Sequence, residues 1–205
     1  ECATEDKALH ETAQEFVRLL LEDKELEIRS VECKKQEHHI DVFAIVNGEY
    51  ALIIEDKTNT SEHSNQLKRY SEWVQREKKY SDLELHCVYY KTGNESYAKL
   101  KRLSENYNKD YPEENFCSIT RKEVLDVLTQ STSTNAILCD YVEHLQKIQD
   151  LTDSYVSHPI KEWAWEAWQG FYMALELELD KGDWGYVANP NGGFLGFWWH
   201  WGNAA

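Results

Sequence analysis

The stretch that decides the fold is His39-Ile40-Asp41-Val42-Phe43-Ala44-Ile45-Val46, then Asn47-Gly48-Glu49, then Tyr50-Ala51-Leu52-Ile53-Ile54-Glu55-Asp56-Lys57. Two apolar runs rich in β-forming residues flank an Asn-Gly pair, the strongest short-range signal for a hairpin. Each run carries acid where a buried strand should not. Asp41 opens the first, and Glu55, Asp56 and Lys57 close the second. Side chains alternate along a strand, so Glu55 and Lys57 share one face while Leu52, Ile54 and Asp56 share the other. A carboxylate beside an ammonium at the end of an apolar strand suits a metal ion with a nearby water.

Register decides whether Asp41 can join them. A two-residue Asn47-Gly48 turn would oppose Asp41 to Ile54 and Glu55 to Ile40, leaving the acids on opposite faces. One residue of slip reverses this. A three-residue loop built on a type I turn, with Gly48 left-handed as a bulge, puts both acids on one face. Chemistry here requires the longer loop, a bulge elsewhere, or a sharp bend before Asp41.

The remaining chain reads as layers around this hairpin. Leu9, Ala13, Phe16, Val17 and Leu20 recur at helical spacing and predict a helix over 5–23. Residues 25–35 alternate as a first strand. After the hairpin, Ser61 or Ser64 is positioned to cap a helix running to about Lys79, with Leu67, Tyr70 and Val74 as its inner stripe. A strand follows over 83–90, then a charged, peripheral helix over 95–107 and a short strand over 116–119. Thr120 and Glu123 form a capping box for a helix over 121–130, and a further helix spans about 134–154. This order predicts an α/β fold with a mixed central β-sheet flanked by helices.

The C-terminal part differs in composition. Seven of the eight tryptophans lie after residue 160. Pro159 is read as starting a short helix with Trp163, Trp165 and Trp168. The alternation of Leu175, Leu177 and Leu179 with Glu176 and Glu178 predicts a strand, and residues 172–201 a three-strand antiparallel meander. The division expected is 1–130 as core, 131–160 as helical connection and 161–205 as a Trp-rich appendage. The aromatics there (Trp184, Tyr186, Phe194, Phe197, Trp198, Trp199 and Trp201) stack bases, bind a protein partner, or form the core of a small β layer.

Composition narrows the class. No apolar run reaches the 18 residues of a membrane span. Five widely spaced cysteines without a C-x-x-C pair read as reduced thiols in a cytoplasmic protein. The sole methionine is Met173, and the sequence reads as a fragment of a longer chain. A net charge of −15 argues against a generic nucleic-acid coat, yet residues 57–102 hold ten basic side chains against six acids. That moderately basic stretch follows directly on Lys57. His38, His39 and His63 are further candidates for metal or phosphate contact, read more simply as surface.

Asp41, Glu55 and Lys57 resemble the signature of the PD-(D/E)XK nuclease superfamily, in which an Asp begins the second strand and Glu/Asp-x-Lys ends the third. Here Ile40-Asp41 is separated by thirteen residues from Glu55-Asp56-Lys57. Gln66-Leu67-Lys68-Arg69-Tyr70 resembles the Q-x-x-x-Y element of its RecB-like branch, and Ile40 departs from the family's proline. The resemblance spans about residues 5–130 and implies a restriction-endonuclease-like core. It implies that Asp41, Glu55 and the Asp56 carbonyl hold Mg²⁺, with Mn²⁺ able to substitute. It implies too that Lys57 and Gln66 assist a metal-activated water in cutting phosphodiester bonds, with Lys68, Arg69 and Tyr70 beside nucleic acid, DNA foremost. A further carboxylate common in the family falls to Glu11, Glu15 or Glu32. The rival expectation is a protein that keeps this fold without cutting and engages a protein partner through its Trp-rich end.

Overall fold

In the computed structural model the described residues are 6–35, 37–58, 66–179, 181–190 and 192–199. His63, Ser61, Ser64 and Trp201 lie outside them. Helix α1 (Lys7–Leu20) leads into strand β1 (Val31–Lys35), and the hairpin follows as β2 (Val42–Val46) and β3 (Tyr50–Lys57). Then come α2 (Gln66–Arg76), β4 (Glu84–Lys91), α3 (Tyr97–Asp110), β5 (Asn115–Thr120), α4 (Arg121–Leu128) and α5 (Ala136–Asp153). The five strands form one sheet in the order β1-β2-β3-β4-β5. β1, β2 and β3 pair antiparallel, whereas β3-β4 and β4-β5 are parallel. Parallel neighbours need crossovers, and α2 and α3 supply them.

Each face of the sheet buries its own core. One joins Phe43, Ala51, Ile53, Cys87 and Tyr89 to Leu67, Tyr70 and Val74 of α2 and Leu100 and Tyr107 of α3. The other joins Ala44, Val46, Leu52, Val88 and Ile119 to Leu20 of α1, Val124 and Leu125 of α4 and Leu145 of α5. Helix α3 is therefore not peripheral. Its charged sequence hides an inner stripe, and the Tyr107 hydroxyl donates to buried Glu114 at 2.5 Å beneath β5. The Thr120–Glu123 capping box at the start of α4 is present as read from the sequence.

The C-terminal segment departs most from expectation. Residues Trp165–Glu178 form one helix, α6, and only two strands follow, β6 (Gly182–Asn189) and β7 (Gly192–Trp199), paired as a hairpin. The Leu/Glu alternation over 175–179 is overridden by packing: in the helix Glu176 is buried and Leu177 is 72% exposed, the reverse of what a half-buried apolar strand face would give. At Gly170 an added Cβ would stand 1.9 Å from the Thr152 carbonyl oxygen, so α5 and α6 cross with backbone nearly touching.

Glu176 shows why this helix docks where it does. Its carboxylate accepts from the Tyr97 and Ala98 backbone N–H groups at 3.0 and 2.6 Å and from the Ser96 hydroxyl at 2.8 Å. It therefore caps the N-terminus of α3 from another element, where the unsatisfied N–H groups and the helix dipole favour an anion. Asp183 of β6 shares the single Ser96 hydroxyl proton with Glu176, its Oδ1 lying 2.6 Å from Ser96 Oγ, and accepts from Arg102 at 2.7 Å. Burial opposes its ionisation, but those two donors hold its carboxyl below the ordinary range. Replacing Glu176 by Gln should cost about 1.5–3 kcal/mol, the usual worth of a hydrogen bond to a charged group. Urea unfolding of the two proteins checks it; a midpoint equal to wild type would mean the cap contributes nothing.

Candidate active site

The hairpin has the longer loop that a shared site requires. Val46 pairs with Tyr50 and Val42 with Ile54, leaving Asn47-Gly48-Glu49 as the loop. The Glu49 N–H donates to the Val46 carbonyl at 2.9 Å. Gly48 is left-handed at φ 71°, as expected, but Asn47 is too, at φ 56°. Two central residues at positive φ make the turn a primed one rather than the type I turn anticipated. Asn47 is held there by its own side chain. Its Oδ1 accepts from the Arg29 and Ser30 N–H groups, and its Nδ2 donates to the Glu27 carbonyl, stapling the approach to β1.

Asp41 lies just outside β2, one residue beyond the Val42–Ile54 pair, and continued alternation would turn it to the face that carries Glu55. The bend before it is fixed in detail. His38 and His39 sit at φ 52° and 68°, conformations that non-glycine residues adopt at a cost. Four contacts hold this segment. The Tyr70 hydroxyl donates to the His39 carbonyl at 2.8 Å, the His38 ring stacks on Trp73 with centroids 4.7 Å apart, and Glu37 accepts from Lys79 and Tyr80. Asp41 Oδ2 then accepts the Asp56 N–H at 3.0 Å, pinning the carboxylate across the ends of β2 and β3.

Glu55 is 1% exposed and its Oε1 forms an ion pair with Lys57 Nζ, itself 14% exposed at the side chain. Asp56 points to the opposite face. Burial first, then the charge of Asp41, raises its carboxyl above the ordinary value, although Lys57 and Lys91 oppose this. The oxygens of Asp41, Glu55 and the Asp56 carbonyl are a hard donor set, which suits a Mg²⁺-like ion that keeps several waters. Among the described residues no group of three His, Cys, Asp or Glu side chains is gathered as a metal cage.

The other sequence candidates are placed as follows. Gln66 is the first residue of α2, half-buried, and Arg69 is exposed on it. Lys68 Nζ lies 5.4 Å from the centre of the Tyr111 ring, and the hydrogen bond to Tyr111 raises its pKa. Tyr70 is 6% exposed and braces the bend before Asp41 instead of facing solvent. Glu11, Glu15 and Glu32 make exposed ion pairs with Lys7, Arg18 and Lys34. The first two lie on α1, which packs on the sheet face away from Glu55.

Several residues around the site escaped the sequence reading. Lys91 at the end of β4 is the register partner of Lys57, is 3% exposed, and donates to the Thr58 carbonyl at 2.9 Å. Burial pulls its ammonium below the ordinary value, with Lys99 and Lys57 adding to this and Glu95 opposing it. Arg121, also 3% exposed, donates to the Thr92 carbonyl and to the side chains of Asn94, Thr152 and Gln149. It ties the segment after β4 to α5. A lysine closing an apolar run was the available signal for Lys91. Arg121 had none, because its partners are far away in sequence.

The four described cysteines, Cys33, Cys87, Cys117 and Cys139, are free thiols. Among the described residues no helix is long and apolar enough to cross a membrane. The model of a family described as the PD-(D/E)XK nuclease superfamily matches residues 4–157. Comparison with curated proteins and with solved structures finds no significant match. The matched span holds all five strands of the mixed sheet and helices α1 to α5, a restriction-endonuclease-like arrangement with Asp41, Glu55 and Lys57 at its strand ends. By that match over most of its length, the chain belongs to the PD-(D/E)XK nuclease superfamily.

Proposed function

We propose that the protein is a metal-dependent nuclease that hydrolyses phosphodiester bonds, with DNA as the favoured substrate. The observation that supports this is the bond from the Asp56 N–H to Asp41 Oδ2, which ties Asp41 to the end of β3 next to the buried Glu55–Lys57 pair. Asp41 and Glu55 would hold the ion, Mg²⁺ or Mn²⁺, together with the Asp56 carbonyl. When bound, such an ion lowers the pKa of a coordinated water and offsets charge on the phosphate. The Lys57 ammonium, fixed by Glu55, orients the attacking water and counters the negative charge that builds on the phosphoryl oxygens. Gln66, at the start of the helix that follows, orients substrate or Lys57 in the manner of a RecB-like enzyme. Lys68 and Arg69 take the nucleic-acid backbone, and Tyr70 serves by holding the bend. Catalysis belongs to residues 1–130, with 131–160 as a helical connection and 161–205 as an appendage.

Incubation of labelled single- and double-stranded oligonucleotides with Mg²⁺, Mn²⁺ or EDTA tests the reading. Cleavage should require the metal and disappear in Lys57→Ala. Cleavage that persists in EDTA, or in Lys57→Ala, would refute it. Binding should also weaken steeply with salt, since each neutralised phosphate releases counterions. Charge reversal at Lys68 and Arg69 should flatten that slope, and an unchanged slope would move the backbone path elsewhere.

A further inference from the structure

We infer that the cleft between the sheet's catalytic end and the C-terminal hairpin holds an unpaired polynucleotide strand, its bases stacked on Trp165 and Tyr186. The inference rests on the nuclease reading for the strand's destination. The cleft has a volume of ≈ 830 Å³ and borders the strand ends that carry the candidate site, because Thr58 and Lys91 are part of its lining. Thr58 follows Lys57 directly in the chain, and Lys91 is the strand partner of Lys57. A strand whose phosphate lies at Glu55 and Lys57 therefore has this cleft as a neighbouring groove.

The opposite wall is aromatic and open. Trp165, at the start of α6, is 45% exposed, Tyr186 on β6 is 58% exposed and Trp198 on β7 is 38% exposed. Exposed rings of this size on one surface are the type of platform on which successive bases stack. The Trp165 and Tyr186 rings are 6.1 Å apart at their centroids. Tyr186 is held in place by donation of its hydroxyl to the Gly192 carbonyl at 2.6 Å. Its ring lies so close over Gly193 that an added Cβ would meet it at 2.3–2.6 Å. The ring is fixed before any ligand arrives. Trp184, also on the wall, is 4% exposed, and its indole N–H has no hydrogen-bond partner among the described residues.

Charge points to stacking as the main attraction. Lys99 and Arg102 lie in the cleft, but Lys99 pairs with Glu95 at 3.0 Å and Arg102 with Asp183 at 2.7 Å. Their fields are largely cancelled, so the cleft offers π-faces and neutralised hydrogen-bond donors in place of a basic track. A duplex hides the faces of its bases; an unpaired strand presents them. The occupant that fits is accordingly single-stranded, deoxyribo- or ribonucleotide.

The test is quenching of tryptophan fluorescence by short oligo(dT) and oligo(rU), in EDTA so that binding is read without cleavage. Wild type should be quenched, with blunt duplex binding more weakly than either strand. Trp165→Ala and Tyr186→Ala should each weaken binding by about 5- to 150-fold, the range for loss of one stacked base. That loss should be the same at every salt concentration, while Trp165→Phe retains most of the affinity. Ile137→Ala, at a site 82% exposed on α5, should bind as wild type. Thermal melting confirms that the variants are folded. Affinities unchanged in both aromatic variants, or no binding by wild type as for a surface that takes a protein partner, would overturn the inference. Ring-dependent binding without metal-dependent cleavage would refute the nuclease reading and leave the cleft assignment standing. Cleavage indifferent to both rings would do the reverse.

Discussion

Glu55→Gln should reduce metal-dependent cleavage by about 10³-fold, the upper range for loss of one preorganised electrostatic group. Glutamine matches glutamate in shape, so a side chain 1% exposed is replaced without a cavity. What disappears is the charge, and two functions go with it. One is the anionic oxygen that a hard cation requires. The other is the ion pair that holds Lys57 Nζ at the strand end. Asp41→Asn gives a useful contrast. Its amide oxygen can still accept the Asp56 N–H, so the crossing of β2 and β3 should survive while affinity for Mn²⁺ falls. Calorimetry with Mn²⁺ and initial rates on one oligonucleotide separate the two variants. Full activity in Glu55→Gln would remove Glu55 from the chemistry.

How much of this is legible in the sequence follows from where each residue finds its partners. Glu55, Lys57 and the left-handed Gly48 were readable because alternation and turn chemistry act within a few residues. The left-handed Asn47 also has a local signal, because Asn-Gly favours a primed turn; its contacts to Glu27, Arg29 and Ser30 are the part the sequence does not show. Tyr70 was placed on the correct stripe of α2 but given a ligand. Its hydroxyl instead finds the His39 carbonyl, 31 residues earlier in the chain. The error over 175–179 has the same origin. Period-two spacing over five residues points to a strand, and the contact that overrides it is Glu176 on the N-terminus of α3, 78 to 80 residues away. Local chemistry was readable; the partners that fix it were not.

Gly93→Ala should lose activity by about 10²-fold although Gly93 bears no reactive group. An added Cβ would stand 1.8 Å from the Thr58 carbonyl oxygen and 2.8 Å from its carbon. Those are backbone atoms, so the clash cannot be relieved by turning a side chain, and one of the two segments must move. Neither is free to do so cheaply. Thr58 accepts from Lys91 at 2.9 Å and contacts Thr92 through the two hydroxyls at 3.1 Å. On the other side, Arg121 holds the Thr92 carbonyl at 2.6 Å and the Asn94 side chain at 2.7 Å. Overpacking of this kind costs about 1–3 kcal/mol, so the fold should persist with a lowered melting temperature. The displacement falls one residue from Lys57, and shifts of about 1 Å at a reacting group can cost about 10²-fold in rate. Thermal melting, metal titration and cleavage rate on the same preparation give the answer. A folded Gly93→Ala protein that cuts at the wild-type rate would show that the approach of Thr58 to Gly93 does not set the position of Lys57.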